Sequence, residues 1–125
     1  MITITALSGA KQENGGPRCY LLELDHHRIL LDVGIDPVTM DSAHLHTLRR
    51  QQNLSAVLLS HYDFNHVGGL PFIQDWCKGA VMVLGTTPVM HLARQALLDA
   101  KLAYKERFGT DYPECLAASP ELSQI

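Results

Sequence analysis

The clearest pattern in the chain is a series of short apolar runs that are separated by polar or glycine-rich stretches. Residues 2–8 alternate apolar and polar side chains, many of them β-branched, which predicts a β-strand. The apolar runs 19–24 and 28–34 flank a short polar stretch and predict a hairpin. Runs 56–60 and 80–86 have no polar face, which is typical of strands that are buried on both sides.

Helical patterns lie between and after these strands. Short helices are predicted over 41–52 and over 70–79. A longer helix is predicted to start at Thr87 as its cap, with Pro88 in the first position, and to end at Gly109. Its predicted inner face consists of Val89, Leu92, Ala93, Ala96, Leu97, Ala100, Ala103 and Tyr104. Strands followed by strand–helix units predict a layered α/β fold.

Composition narrows the class of protein. The chain has 125 residues, of which 46% are apolar, so it can form one packed domain. A net charge of -3 gives no electrostatic reason to expect tight nucleic-acid binding by this chain alone. Three widely spaced cysteines predict reduced thiols in an intracellular protein, and no apolar run is long enough for a membrane span.

One loop, LLSHYDFNHVGGLP at 58–71, carries the side chains that are suited to metal binding or catalysis. His61 follows a predicted strand, so its ring is expected at the carboxyl end of the sheet, where α/β proteins place ligand-binding groups. A second histidine and a carboxylate follow within five residues, a combination suited to zinc or iron. Gly68 and Gly69 allow the backbone to pass close to a site or to a neighbouring strand.

This loop resembles the signature of the metallo-β-lactamase fold, His-x-His-x-Asp-His followed by glycines, and the preceding Asp-x-Gly at 32–34 resembles that fold's strand ending. His61 and His66 stand at ligand positions of the signature. Asp63 stands where the family has its second histidine, and Asn65 stands where it has the aspartate that binds the second metal. The resemblance implies an α/β fold of the αββα sandwich type, of which this chain would hold the first half only.

Five segments between residues 2 and about 108 resemble one branch of that family more closely, the β-CASP RNA-processing proteins. Within it, the chain is similar to the larger, catalytically degenerate subunits of the cleavage and polyadenylation specificity factor. This resemblance implies a nuclear, non-catalytic scaffold role in pre-mRNA 3′-end cleavage and polyadenylation. The implied partners are a paralogous zinc endonuclease subunit and other 3′-end processing factors, with pre-mRNA reached through the complex, and no membrane.

The substitutions in the loop argue against catalysis. A neutral amide at Asn65 is a poor zinc ligand and a poor proton acceptor, so it cannot replace an aspartate beside a metal-bound water. We therefore expect no catalytic residues and no cofactor, and only a vestigial metal site at His61, Asp63 and His66. A single zinc ion held there, in an active metal-dependent hydrolase or RNA endonuclease, is the alternative. A third reading is an unrelated α/β binding module whose loop matches by chance.

Structural roles for the same residues also remain open. Asn65 is a good N-cap for a helix starting near His66, and Asp63 is a good turn residue. The fold resemblance implies that Asp32, at a strand end, is buried and hydrogen-bonded to the loop whether or not a metal binds. Residues 1–125 are expected to be the N-terminal portion of a longer domain, with 110–125 poorly defined, so an exposed sheet edge and an apolar helix face would need covering.

Overall fold

A single mixed sheet organises the protein in the computed structural model, which describes residues 1–9, 16–39, 42–50, 54–77 and 81–109. The strands are β1 (Ile2–Ser8), β2 (Cys19–Leu24), β3 (His27–Val33), β4 (Leu54–Leu58) and β5 (Met82–Leu84). They lie in the order in which they occur in the chain; β1, β2 and β3 pair antiparallel, whereas β3, β4 and β5 pair parallel. The predicted α/β class is confirmed, and the tail at 110–125 lies outside the described residues.

The predicted hairpin is present, with a turn of two residues between β2 and β3. Leu24 pairs with His27, so Asp25 and His26 form the turn. Asp25 has a φ of 51°, in the left-handed region that aspartate tolerates better than most residues. The short polar stretch therefore closes the hairpin as the sequence predicted.

Helices follow each of the parallel strand segments. They are a 3₁₀ helix (Ala43–Arg50), α1 (Phe64–Val67), α2 (Leu70–Trp76) and α3 (Thr87–Phe108). The cap of α3 is Thr86 rather than the predicted Thr87, because the Thr86 hydroxyl accepts a hydrogen bond from the N–H of Val89 at 3.4 Å. Gly109 ends α3 with a φ of 70°, as predicted.

The helices pack on one face of the sheet. Leu21, Leu30, Val57 and Val83 lie in one row across the strands, and all four are buried in the core with residues of α2 and α3. The burial of these side chains supplies most of the favourable free energy of folding on that face.

The opposite face of the sheet is apolar but only partly covered. Its two rows are Ile4, Leu22, Ile29, Ala56 and Met82, and Ala6, Tyr20, Leu31, Leu58 and Leu84. Met82 is 60% exposed and Ile4 is 62% exposed. The prediction of burial on both sides is therefore wrong for β5, whose Met82 and Leu84 are exposed, and for Leu58 of β4, whereas Ala56 on the same face is buried.

The buried side of α3 agrees only in part with the predicted face, since Ala93 and Leu97 are buried and Val89 and Tyr104 pack against the core. Met90, Ala93 and Leu97 point into the core, whereas Leu92 and Ala103, which were expected inside, are exposed. The alanines and leucines are so evenly distributed along this helix that its sequence does not define a single apolar face. The contact with the core, and not the spacing of apolar residues along the helix, determines which side of α3 is buried.

Gly34 brings the end of β3 into close contact with the loop that follows β4. A Cβ atom at this position would lie 1.7 Å from the carbonyl oxygen of Asn65 and 2.2 Å from its carbonyl carbon. Backbone hydrogen bonds hold this approach, including one from Gly34 N–H to Arg18 O at 2.8 Å. Only glycine fits here without moving the backbone of the loop.

We expect Gly34→Ala to lower the free energy of unfolding by about 3 kcal/mol, because a backbone atom stands in the way of the new methyl group. Gly85→Ala is the matched control, since its Cβ would meet the flexible end of Met90 at 2.9 Å. Chemical denaturation monitored by circular dichroism measures both. Equal losses in the two variants would contradict the close approach of β3 and the loop.

Candidate functional site

The histidine loop lies where the parallel strands β3 and β4 end side by side. Leu59 and Ser60 separate the end of β4 from His61, because the strand stops two residues earlier than predicted. Leu59 is nevertheless buried, and its N–H donates a hydrogen bond to Leu84 O at 2.8 Å. This bond extends the pairing of β4 with β5 by one residue beyond β4. The loop therefore starts from a fixed backbone position at the carboxyl end of the sheet.

A buried carboxylate, Asp32, is the centre of this site. It is 8% exposed and has a φ of 59°. Its Oδ1 accepts a hydrogen bond from the N–H of Ser60 at 2.8 Å, and its Oδ2 accepts one from the Ser60 hydroxyl at 2.5 Å. Nδ1 of His66 lies 3.1 Å from the same Oδ2. Asp32 therefore binds the loop, as the sequence predicted.

The three residues of the predicted metal site are neighbours, but their polar atoms are directed at one another or at Asp32. His61 and His66 have ring centroids 5.2 Å apart. Nδ1 of His61 accepts a hydrogen bond from the N–H of Asp63 at 3.0 Å and lies 3.5 Å from Oδ2 of Asp63. Because Nδ1 of His66 faces the Asp32 carboxylate, only Nε2 of that ring is available to another ligand.

These residues do not fit the pair of metal ions that the signature loop implies. Among the described residues, no group of three or more His, Cys, Asp or Glu side chains is placed to hold a metal ion. The Asp63 carboxylate leans towards His61 instead of sharing a point with both imidazoles. The vestigial site at His61, Asp63 and His66 stays a prediction.

Asn65 lies within α1 and not in front of it. The predicted N-cap role for Asn65 is wrong, since Asp63 is the N-cap of α1 and makes no side-chain capping bond there. The carbonyl oxygen of Asn65 accepts a hydrogen bond from the N–H of Arg18 at 2.8 Å. The backbone at Asn65 thus connects the loop to the segment before β2, beside Gly34.

Several residues of the site were missed or misjudged from the sequence. Ser60 gives both of its donors to Asp32, and a Ser after a strand carries no signal for such a role. Nε2 of His44 lies 2.8 Å from Gly34 O, so this helix residue supports the end of β3. Tyr62 is 39% exposed and stacks on His61 with centroids 4.4 Å apart.

Beside the loop, a pocket of about 400 Å³ lies between α1 and α3. Phe64 contributes to its wall from α1, and Ala96, Ala100 and Tyr104 line it from α3. The histidines do not line it, so it does not belong to the candidate site. Its lining is mainly apolar, which is consistent with a packing groove.

Cys19 is fully buried at the start of β2, near the same carboxylate. Burial raises the pKa of the Cys19 thiol to about 12, and the charge of Asp32 adds to the rise. A thiol of this kind stays protonated at neutral pH and is a poor nucleophile or metal ligand. The predicted reduced thiol fits this environment at Cys19, and Cys115 lies outside the described residues.

Comparison with known proteins agrees with the loop pattern. A family model described as a metallo-beta-lactamase superfamily domain matches residues 21–112. The chain is 39% identical over 100 residues to the "Probable cleavage and polyadenylation specificity factor subunit 2" of Caenorhabditis briggsae, a match that covers 79% of this chain and 12% of that protein. It is 40% identical over 99 residues to "Cleavage and polyadenylation specificity factor subunit 2" of Oryza sativa subsp. japonica, covering 78% of this chain and 13% of that protein.

Two further similarities are more distant. The "Beta-lactamase-like protein 2 homolog" of Drosophila melanogaster is 31% identical over 107 residues, covering 77% of this chain and 36% of that protein. The crystal structure of the metallo-beta-lactamase fold protein YhfI from Bacillus subtilis aligns with a TM-score of 0.49 at 22% identity, over 67% of this chain and 36% of that one. The chain spans about an eighth of the length of the first two relatives. In the described ranges, none of the helices has the length and apolarity of a membrane span.

Replacing Asp32 by Ala should lower the free energy of unfolding by about 3 kcal/mol, since Ser60 and His66 would lose their shared buried acceptor. Urea unfolding measures this loss. Asp63→Ala is the matched control, because that carboxylate side chain is 58% exposed and its removal should cost less than about 0.5 kcal/mol. A loss at Asp63 as large as that at Asp32 would refute the central role of the buried carboxylate.

Proposed function

We propose that this chain has a non-catalytic scaffold role in mRNA 3′-end cleavage and polyadenylation. The chain belongs to the metallo-beta-lactamase superfamily. Relatives at 39% and 40% identity are named as subunit 2 of the cleavage and polyadenylation specificity factor. Because this chain matches about an eighth of their length, the proposal assigns it one structural part of such a subunit.

The observation that carries the proposal is the amide of Asn65 where the signature loop has an acid. A dication and its bound hydroxide need an anionic ligand at that point, and an amide supplies neither the charge nor a proton acceptor. Asp63 adds a second departure, since a carboxylate that faces His61 at 3.5 Å stands in place of an imidazole. Both changes remove ligands of a hydrolytic metal pair.

A second line of support is that the contacts that position the loop do not involve the two departures from the signature. Asp32 accepts hydrogen bonds from Ser60 and orients His66, while Gly34 packs against the backbone of Asn65. These contacts are made between protein atoms and use neither the Asp63 nor the Asn65 side chain. A scaffold needs this shape but not the chemistry.

The proposed partners are a paralogous zinc endonuclease subunit and other 3′-end processing factors, in the nucleus. Pre-mRNA would be reached through that complex, because the chain itself has a net charge of -3 and lacks the basic excess expected of an independent RNA-binding domain. The β-CASP assignment belongs to the same proposal.

One observation favours the alternative of an active metal-dependent hydrolase or RNA endonuclease. The Asp32–His66 contact resembles the carboxylate–histidine pairs that orient imidazole ligands at metal sites. With the His61 ring nearby, His66 would offer Nε2 to an ion that Asp63 completes. This reading requires Asp63 to turn away from His61.

Metal analysis distinguishes the two functions. We expect the purified chain to contain far less than one zinc ion per molecule and to cleave no RNA, with His61→Ala changing neither result. The double substitution D63H/N65D re-creates the full signature loop and should raise the zinc content, because it returns an imidazole and an anion. Stoichiometric zinc in the natural chain that disappears in His61→Ala, together with RNA cleavage, would overturn the scaffold assignment.

Association with the proposed partner is the second test. We expect the chain to co-purify with the zinc endonuclease paralogue when the two are co-expressed, and to do so equally well after treatment with a metal chelator. His61→Ala should bind the partner as the natural chain does, since metal binding is not required. Failure to bind any 3′-end processing subunit would contradict the scaffold assignment. The third possibility, an unrelated α/β module whose loop matches by chance, is already wrong because the family match spans residues 21–112.

A further inference from the structure

The outward side of α3 carries an apolar seam, and its core contacts lie on another side of the helix. Leu98 and Leu102 are one turn apart and are 47% and 68% exposed. Gln95 lies on the same side, and His91 and Lys105 extend the seam at intervals of four and three residues. This spacing is that of the a and d positions of a heptad, with a at Gln95 and Leu102.

The two flanks of this α3 seam have opposite charge. Arg94 and Lys101 occupy two consecutive g positions on one flank. Asp99 and Glu106 occupy two consecutive e positions on the other flank. None of these four side chains forms an ion pair with another residue in the described part of the chain. Asp99 Oδ1 accepts a hydrogen bond from Nε2 of Gln95, one turn earlier, at 2.9 Å.

We propose that the α3 seam is a self-association surface on which a second copy of this chain packs its own α3 in parallel. In a parallel pair of helices, a g residue faces the e residue five positions further along the partner. Arg94 then faces Asp99 of the second copy, and Lys101 faces Glu106. Two-fold symmetry repeats both contacts, so four pairs of opposite charge flank the seam.

Charge selects this arrangement over its alternatives. In an antiparallel pair, g residues face g residues and e residues face e residues, so cations would meet cations and acids would meet acids. A parallel copy of the same helix is the partner for which both flanks are complementary. Within the seam this arrangement has one unfavourable contact, between the two Lys105 side chains at d positions. Gln95 at an a position adds a polar contact that favours one register.

The predicted dimer is weak and reversible. Each copy contributes only two leucines to the seam, and exposed ion pairs add little each. Self-association should therefore increase with protein concentration and decrease with salt, which screens the flanking charges. This inference is independent of the proposed role in mRNA processing.

Charge reversal on the full chain tests the proposal by sedimentation equilibrium. We expect R94E/K101E and D99K/E106K each to weaken self-association by about tenfold or more, since every flanking pair becomes repulsive. Mixing the two variants should restore dimers, because all four pairs are then of opposite charge again. The control H26E/H27E changes two exposed residues of the hairpin and should associate as the natural chain does.

Three results would overturn the proposal. The first is a natural chain that stays monomeric up to about 1 mM. The second is self-association that both charge-reversed variants keep, which would locate the contact elsewhere, such as on the open face of the sheet. The third is a mixture of the two variants that associates no better than either alone. Circular dichroism checks that the variants are folded. We expect them to be, because Arg94, Asp99 and Glu106 are exposed and Lys101 is half-buried.

Discussion

A buried anion at the end of β3 holds the carboxyl edge of this sheet together. Asp32 receives hydrogen bonds from the N–H and the hydroxyl of Ser60, and its remaining contact is with Nδ1 of His66. A carboxylate in a low-dielectric environment is tolerated only when such donors surround it. Since the donors follow β4 in the chain, the same requirement fixes the start of the loop and the direction of α1. Gly34 then allows the backbone of Asn65 to come into contact beside it.

This arrangement separates the shape of the loop from any chemistry that the loop performs. In a working metal site, a carboxylate such as Asp32 would orient a ligand that in turn binds the ion. Here the orienting contact to His66 is present, while the positions that should carry a second imidazole and an acid hold Asp63 and Asn65. The supporting contacts do not depend on those two positions. Replacing either of those two side chains therefore removes none of the contacts that position the loop.

The sequence predicted those features that depend on local patterns. Alternation identified β1, and the polar break identified the hairpin whose turn is at Asp25. Local patterns were less informative where two adjacent positions fit the same structural role equally well. Adjacent threonines made the cap of α3 ambiguous by one residue, and the apolar run through Leu59 concealed the end of β4. The role of Gly34 could not be predicted, because the atom that excludes a side chain there belongs to Asn65, 31 positions away in the chain.

Burial was the property that sequence predicted least well, and the reason is that burial depends on what covers a surface. β5 has apolar residues on both sides, but only Val83 is buried, since the described helices lie on one face. The two uncovered apolar surfaces differ in kind. The open face of the sheet is broad and nearly uncharged, so it discriminates poorly between partners and registers. The α3 seam is narrow and is bordered by ordered charges, so its apolar contact is small but its orientation is specified. Of the two surfaces, the α3 seam is therefore the one expected to select the orientation of a partner.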